Sequence, residues 1–226
     1  MTRRGISRRE FVATGALAAL SLQGRRVWAQ DAAALVTCGS GTLRGAVVDG
    51  VRVFKGVPFA EPPVGALRFR PPIKLKPWKG VREATAFAPE SVQTGAGRMS
   101  EDCLYLDVYA PVDKAARGLP VFVWIHGGGN VEGNSQEARG GAFARDGVVC
   151  VSLNYRLGVL GFLEVEPLLG ATYAGSANNA VRDLIAGLEW VKENIAAFGG
   201  DPARVTIGGE SAGAKLTDTL LGVAGA

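Results

Sequence analysis

The chain has 226 residues, 47% apolar and 20% charged, a globular composition long enough to bury one sizeable core rather than a disordered one. Its formal net charge is +4, but residues 1–29 hold six arginines and one glutamate, so the remainder carries −1. The basic balance belongs to the N-terminal segment and gives no ground for a nucleic-acid partner.

Residues 1–29 read as a targeting segment. Arg3, Arg4, Arg8 and Arg9 precede an apolar run from Phe11 to Leu22, and Ser7-Arg8-Arg9-Glu10-Phe11-Val12 has the form of a twin-arginine export signal. Val27-Trp28-Ala29 supplies a cleavage position after Ala29. An uncleaved anchor is the competing reading, but the run is shorter than the roughly 20 apolar residues a membrane span needs. The expectation is export to the periplasm or beyond, without stable membrane insertion after cleavage.

From Leu35 to Phe54 the pattern is short β segments, with Asp49-Gly50 between Gly45–Val48 and Val51–Phe54 as a two-residue hairpin turn. Lys55 to Pro77 is rich in Pro and Gly and predicts an ordered excursion without long helices. Residues 88–100 are similarly irregular. Three apolar runs follow, Cys103–Ala110, Val121–Ile125 and Val148–Leu153, which suit strands covered on both faces. Asn178 to Phe198 is the strongest helix: Val181, Leu184, Ile185, Leu188, Val191, Ile195 and Phe198 recur at helical spacing, and Gly199 ends it. That helix feeds a strand at Val205 and so builds an α/β layer.

Cys38, Cys103 and Cys150 are the three cysteines, and none sits in a CxxC spacing, which argues against zinc. Cys150 lies inside an apolar strand and reads as a core thiol. An exported location permits a Cys38–Cys103 bridge, whose geometry the sequence leaves open.

The chemistry concentrates near the C-terminal end. Val205-Thr206-Ile207 runs into Gly209-Glu210-Ser211-Ala212-Gly213, and a helix-compatible segment follows. Strand, Gly-x-Ser-x-Gly turn and helix form a nucleophile elbow: the glycines let strand and helix approach, and the serine oxygen projects from the strand end. Two competing readings are a chance Gly-rich loop and a phosphate loop. From Gly208 the second glycine of a phosphate loop fits at Gly213, but the lysine comes one place late, at Lys215. His126-Gly127-Gly128-Gly129 follows the strand Val121–Ile125 directly. Consecutive glycines let backbone N–H groups converge, so Gly128 and Gly129, with Ala212, are the candidate oxyanion donors. The bland alternative is a flexible glycine turn.

Taken together the chain resembles the type-B carboxylesterase family, the carboxylesterase and cholinesterase branch of the α/β-hydrolases. The resemblance covers nearly all of 35–221. It rests on the stretch from Phe54 to Gly65 with Leu67-Arg68-Phe69, on Ser100-Glu101-Asp102-Cys103-Leu104-Tyr105-Leu106, and on Asn154-Tyr155-Arg156-Leu157-Gly158. Phe198-Gly199-Gly200-Asp201-Pro202 and the elbow itself complete it. It implies a partial α/β-hydrolase fold, a mixed and mostly parallel central sheet flanked by helices and cut short after the elbow. It also implies hydrolysis of small-molecule esters, no cofactor and no metal. His126, Gly127 and Glu210 become supporting residues, with His126 shaping the oxyanion loop.

Three departures stand out. The family's cysteine partner for Cys103 would fall where this chain has Ser91-Val92-Gln93, so the resemblance implies an unpaired Cys103. Asn130 follows the glycine run where an aromatic residue is common, implying a different acyl-pocket wall. Above all, the triad of this fold runs Ser, acid, His along the chain, yet the only histidine is His126 and fifteen residues follow Ser211. Asp218, on the helix after the elbow, reads as a solvated side chain rather than a base. Residues 30–226 are therefore expected to be the N-terminal part of a longer esterase, with a separately encoded C-terminal half or a non-catalytic binding relative as alternatives. The strand edge left beside the elbow is expected to favour aggregation.

Overall fold

The computed structural model describes residues 34–95, 97–113 and 115–223. The expected export signal over 1–29 lies outside them. Within them no helix is long and apolar enough to cross a membrane.

The chain opens with two hairpins. Strands β1 (Ala34–Cys38) and β2 (Gly41–Val48) pair antiparallel, and β2 returns through Asp49-Gly50 into β3 (Val51–Pro58). Both turn residues have positive φ, 48° and 75°, the conformation whose twist matches the strands it joins. β3 pairs antiparallel with β5 (Tyr105–Pro111) across a bulge between Phe54 and Val57, and between them in sequence the short β4 (Val81–Glu83) lies parallel to β2. β5 then pairs antiparallel with β7 (Val149–Leu153). β6 (Leu119–Ile125) lies parallel to both β7 and β8 (Gly200–Gly209). The sheet order is β1-β2-β3-β5-β7-β6-β8. The sheet is thus mixed, parallel where it carries the elbow and antiparallel towards the N-terminus.

Side chains alternate between two cores, one on each face of this sheet. The larger takes Val121, Val123 and Ile125 of β6, and Val149, Val151 and Leu153 of β7, and packs them under α4 (Asn179–Asn194) and α5 (Ala212–Gly222). The smaller takes Tyr109, Cys150 and Phe122 and packs them under α1 (Gly140–Arg145). Two short helices, α2 (Gly158–Phe162) and α3 (Glu166–Leu169), lie between β7 and α4 in sequence. β3 runs into the Pro-rich excursion as far as Pro58, and from there to Pro77 the chain contains one 3-10 turn, Gly65–Leu67, and the isolated bridge Ala60–Lys74.

Helix α4 departs from its apolar stripe. The α-helix ends at Asn194, and a 3-10 turn, Ile195–Phe198, completes the expected span to Gly199. Leu184 and Val191 of the helix and Ile195 and Phe198 of the turn are buried as expected, and Phe198 meets Phe54 edge-on with ring centroids 5.0 Å apart. Val181, Ile185 and Leu188 are only half-buried, whereas Asp183 is wholly enclosed. The buried face is turned towards Asp183 because Arg156 grips its carboxylate twice, Nε to Oδ2 at 2.8 Å and Nη2 to Oδ1 at 2.7 Å. A hydrophobic pattern gives no weight to a buried ion pair. Gly187 lies on the same face, against Leu153.

All three cysteines are free thiols, so no Cys38–Cys103 bridge exists. Cys38 is half-buried and donates to Gly41 O at 3.4 Å. Cys150 is a buried core thiol, as the strand pattern indicates, and burial pushes its pKa up to about 12. Cys103 is also pushed up to about 12, mainly by burial. Ser91 hydrogen-bonds Cys103 and accepts from Leu157 N at 3.1 Å.

Candidate active site

The elbow forms where β8 ends and α5 begins. Ser211 sits at φ 53° and ψ −114°, a conformation that L side chains avoid. Serine at a helix N-cap ordinarily spends its hydroxyl on a backbone N–H of the first turn. Here no such bond forms, and Ser211 is exposed. Instead the turn is closed by backbone bonds, Gly213 N to Glu210 O at 2.8 Å and Lys215 N to Ser211 O at 3.2 Å.

The flanking glycines have a steric cause. A β-carbon on Gly213 would stand 2.1 Å from Ile125 O and 2.6 Å from His126 O. One on Gly209 would stand 2.4 Å from Ile125 O and 2.6 Å from Gly213 C. The elbow is therefore pressed against the carboxyl end of β6, the point where the His126–Gly129 loop leaves the sheet.

That loop turns back over the elbow. A β-carbon on Gly127 would meet Glu210 Oε2 at 2.5 Å and Ser211 Cβ at 3.2 Å, so Gly127, Glu210 and Ser211 are neighbours. Gly128, Gly129 and Asn130 follow with φ 93°, 61° and 65°. The turn is tied by Val131 N and Glu132 N, which both donate to Gly128 O, at 3.0 and 3.1 Å. Among the described residues the N–H groups of Gly128, Gly129 and Ala212 make no hydrogen bond. For Ala212 this follows from its place in the first helical turn, which has no intrahelical acceptor.

His126 is enclosed beneath the loop at 1% exposure. Its ring stacks on Tyr155, centroids 4.4 Å apart and planes 15° from parallel, while the Tyr155 hydroxyl donates to His126 O at 2.9 Å. Nδ1 lies 2.9 Å from Gly127 O; a carbonyl only accepts, so Nδ1 carries the proton. Nε2 is buried without a partner, and burial pulls the imidazole down to about 4. The ring is a neutral strut of the loop.

A polar network beneath the loop was not read from the sequence. Gly133 is held by both ends of the Gln93 amide, N to Oε1 at 2.8 Å and Nε2 to Gly133 O at 3.0 Å. Asn134 Nδ2 donates to Glu90 Oε2 at 2.7 Å, and Ser135 N to Asn154 Oδ1 at 2.8 Å. Asp107 accepts from the Ser135 hydroxyl at 2.6 Å and from Gly56 N, in the β3 bulge, at 2.8 Å. Burial raises this carboxyl to about 6 against those two bonds. The available signal was Asp107 and Ser152, two polar residues interrupting apolar strands. Ser152 Oγ closes the network by donating to Ser135 O at 2.8 Å.

A strained serine at a strand-to-helix turn, packed under a glycine loop from the neighbouring parallel strand, can be set beside known proteins. A family model described as the carboxylesterase family matches residues 32–224. The chain belongs to the carboxylesterase family. Among curated relatives, the fumonisin B1 esterase of Sphingopyxis macrogoltabida is 44% identical over 80% of this chain and 35% of its own length. The para-nitrobenzyl esterase of Bacillus subtilis (strain 168) is 43% identical over 83% of this chain and 40% of its own. Among solved structures, a Geobacillus stearothermophilus carboxylesterase superposes with a TM-score of 0.79 at 46% identity, covering 83% of this chain and 40% of that one. Such carboxylesterases have the α/β-hydrolase fold, and the described residues form part of it. The chain spans no more than about two-fifths of the length of these relatives.

Proposed function

We propose that this chain is the nucleophile-bearing N-terminal part of a carboxylic ester hydrolase that works through an acyl-enzyme. Ser211 attacks the ester carbonyl, and the oxyanion that develops is received by the N–H groups of Gly128, Gly129 and Ala212. The observation that carries this reading is Ser211 itself, an exposed residue held at positive φ with its helix-capping bond unmade. His126 does not serve as the base, because its ring is enclosed and Nε2, the nitrogen that keeps its lone pair, is itself buried. It shapes the loop, with Gly127 and Glu210 in support.

The base and its acid partner are assigned to polypeptide beyond Ala226, continuous with this chain or separately encoded. Support comes from the flank of the sheet. Among the described residues β8 is an edge strand, and beside it lies a cavity of ≈ 410 Å³ walled by Leu188, Val205, Ile207, Leu220 and Leu221. An apolar flank on an unpaired edge calls for a covering layer. Hydrolysis needs no cofactor and no metal in this scheme, and the substrate is a small-molecule ester.

The test is a fluorophosphonate probe applied to the protein expressed from its whole coding region. A single adduct at Ser211, absent in Ser211→Ala, supports the reading; a folded protein that remains unlabelled contradicts it. The 226-residue chain alone is expected to turn over short-chain aryl esters at background. Turnover that disappears in Ser211→Ala would contradict the assignment of the base. Export by the twin-arginine route is tested by replacing Arg8 and Arg9 with lysine, which should leave the protein in the cytoplasm; undiminished export would refute that route.

A further inference from the structure

Asn130 is the residue after the glycine run, and its backbone has a clear task. At φ 65° it turns the loop, and its carbonyl accepts from Gly158 N at 2.7 Å, tying the loop to the start of α2. Asparagine tolerates this left-handed conformation better than most residues, as glycine does. Its side chain has no such task. Oδ1 is buried without a partner, and no hydrogen bond is made by the amide nitrogen among the described residues.

The amide borders a cavity of ≈ 410 Å³ lined by Asn130, Val131, Gly158, Val159, Phe162 and Leu163. Asn130 contributes the one polar side chain of that lining. Val131 and Val159 leave 59% and 62% of their surface exposed. The amide nitrogen is neither enclosed nor hydrogen-bonded among the described residues, so it is the end of the amide that a ligand in this cavity pairs.

We propose that Asn130 is a specificity-determining residue that hydrogen-bonds a hydroxyl carried by the ester, close to the scissile carbonyl. The preferred substrates are hydroxyl-bearing short-chain esters rather than alkyl esters of the same length. A hydroxyl both donates and accepts, so it pairs with the amide whichever way the oxygen and nitrogen face. The alkyl remainder lies along Val131, Val159 and Phe162. This rests on the proposed esterase function, since the cavity adjoins the loop that supplies Gly128 and Gly129. A site that pairs a substrate hydroxyl rejects the analogue lacking it far more strongly than an apolar pocket rejects a shortened chain.

The experiment compares kcat/KM for two matched pairs in the protein expressed from its whole coding region. One pair is 4-nitrophenyl 3-hydroxybutyrate and 4-nitrophenyl butyrate; the other is 2-hydroxyethyl butyrate and propyl butyrate. In at least one pair the hydroxylated ester is expected to lead tenfold or more. Asn130→Gly, which keeps the left-handed backbone, should reduce that lead to within threefold of unity. Equal wild-type rates in both pairs, or a lead that survives Asn130→Gly, overturn the inference. The wild-type ratio needs no variant, so loss of folding in Asn130→Gly does not remove the test. Hydrolysis of the alkyl esters without discrimination refutes only the role of Asn130, whereas no hydrolysis of any of the four refutes the esterase reading and this inference with it.

Discussion

Ser211 occupies a backbone region in which a β-carbon costs on the order of 1–3 kcal/mol, so the fold holds this residue against its own preference. The consequence is measurable at one position. Ser211→Gly and Ser211→Ala both delete the hydroxyl, but only glycine relaxes the strain. The glycine variant is expected to be the more stable by about 1 kcal/mol, the reverse of the usual order, in paired thermal or urea melts. A more stable alanine variant would mean that the elbow is not strained. His126 gives a second residue-scale prediction. Its pKa is lowered in the folded state to about 4 from 6.5, so stability is fully present above about 6.5 and is lost as pH falls towards 4. That interval corresponds to roughly 3 kcal/mol. As the sole histidine of the 226-residue chain, its ring proton resonances should stay unchanged from pH 8 down to about 5; a midpoint near 6.5 would place the ring in solvent. The elbow serine and the glycine loop were readable because each motif is local. Gln93, Asp107 and Asn154 were not, because their partners Gly133, Ser135 and Gly56 lie far off in sequence and only the folded sheet joins them.

The elbow depends on how closely β6, β8 and α5 approach. Gly213 faces Ile125 O across a gap too small for a methyl group, and the obstruction is backbone rather than a movable side chain. Gly213→Ala is therefore expected to destabilise by about 3 kcal/mol, seen as a lowered urea midpoint. A shift under about 0.5 kcal/mol would mean that the approach is looser than described. Strand positions and the Asp49-Gly50 hairpin were legible because short continuous apolar runs and turn chemistry act within a few residues. β4 was not foreseen: its three residues are all exposed, so no apolar pattern marks it. Helix α4 was placed correctly in sequence but with its buried face turned, because the Arg156–Asp183 pair outweighs Val181, Ile185 and Leu188 in setting its orientation.

Across the whole molecule, the described residues form part of the carboxylesterase-family fold, and the chain matches about two-fifths or less of the length of its relatives. Family and fold were legible because several long motifs occur in order over most of the chain. Substrate choice was not, since pockets are built by residues distant in sequence: Asn130 stood out as a departure after the glycine run, but its unpaired amide beside a cavity exists only in the fold. The central claim is that the 211 hydroxyl is an acylation site served by a proton acceptor outside these 226 residues. Intact-mass and peptide mapping after fluorophosphonate treatment of the complete gene product tests it most directly. The account predicts one adduct, on the elbow peptide and lost on Ser211→Ala; a folded product with no adduct, or with the adduct on another residue, would contradict it.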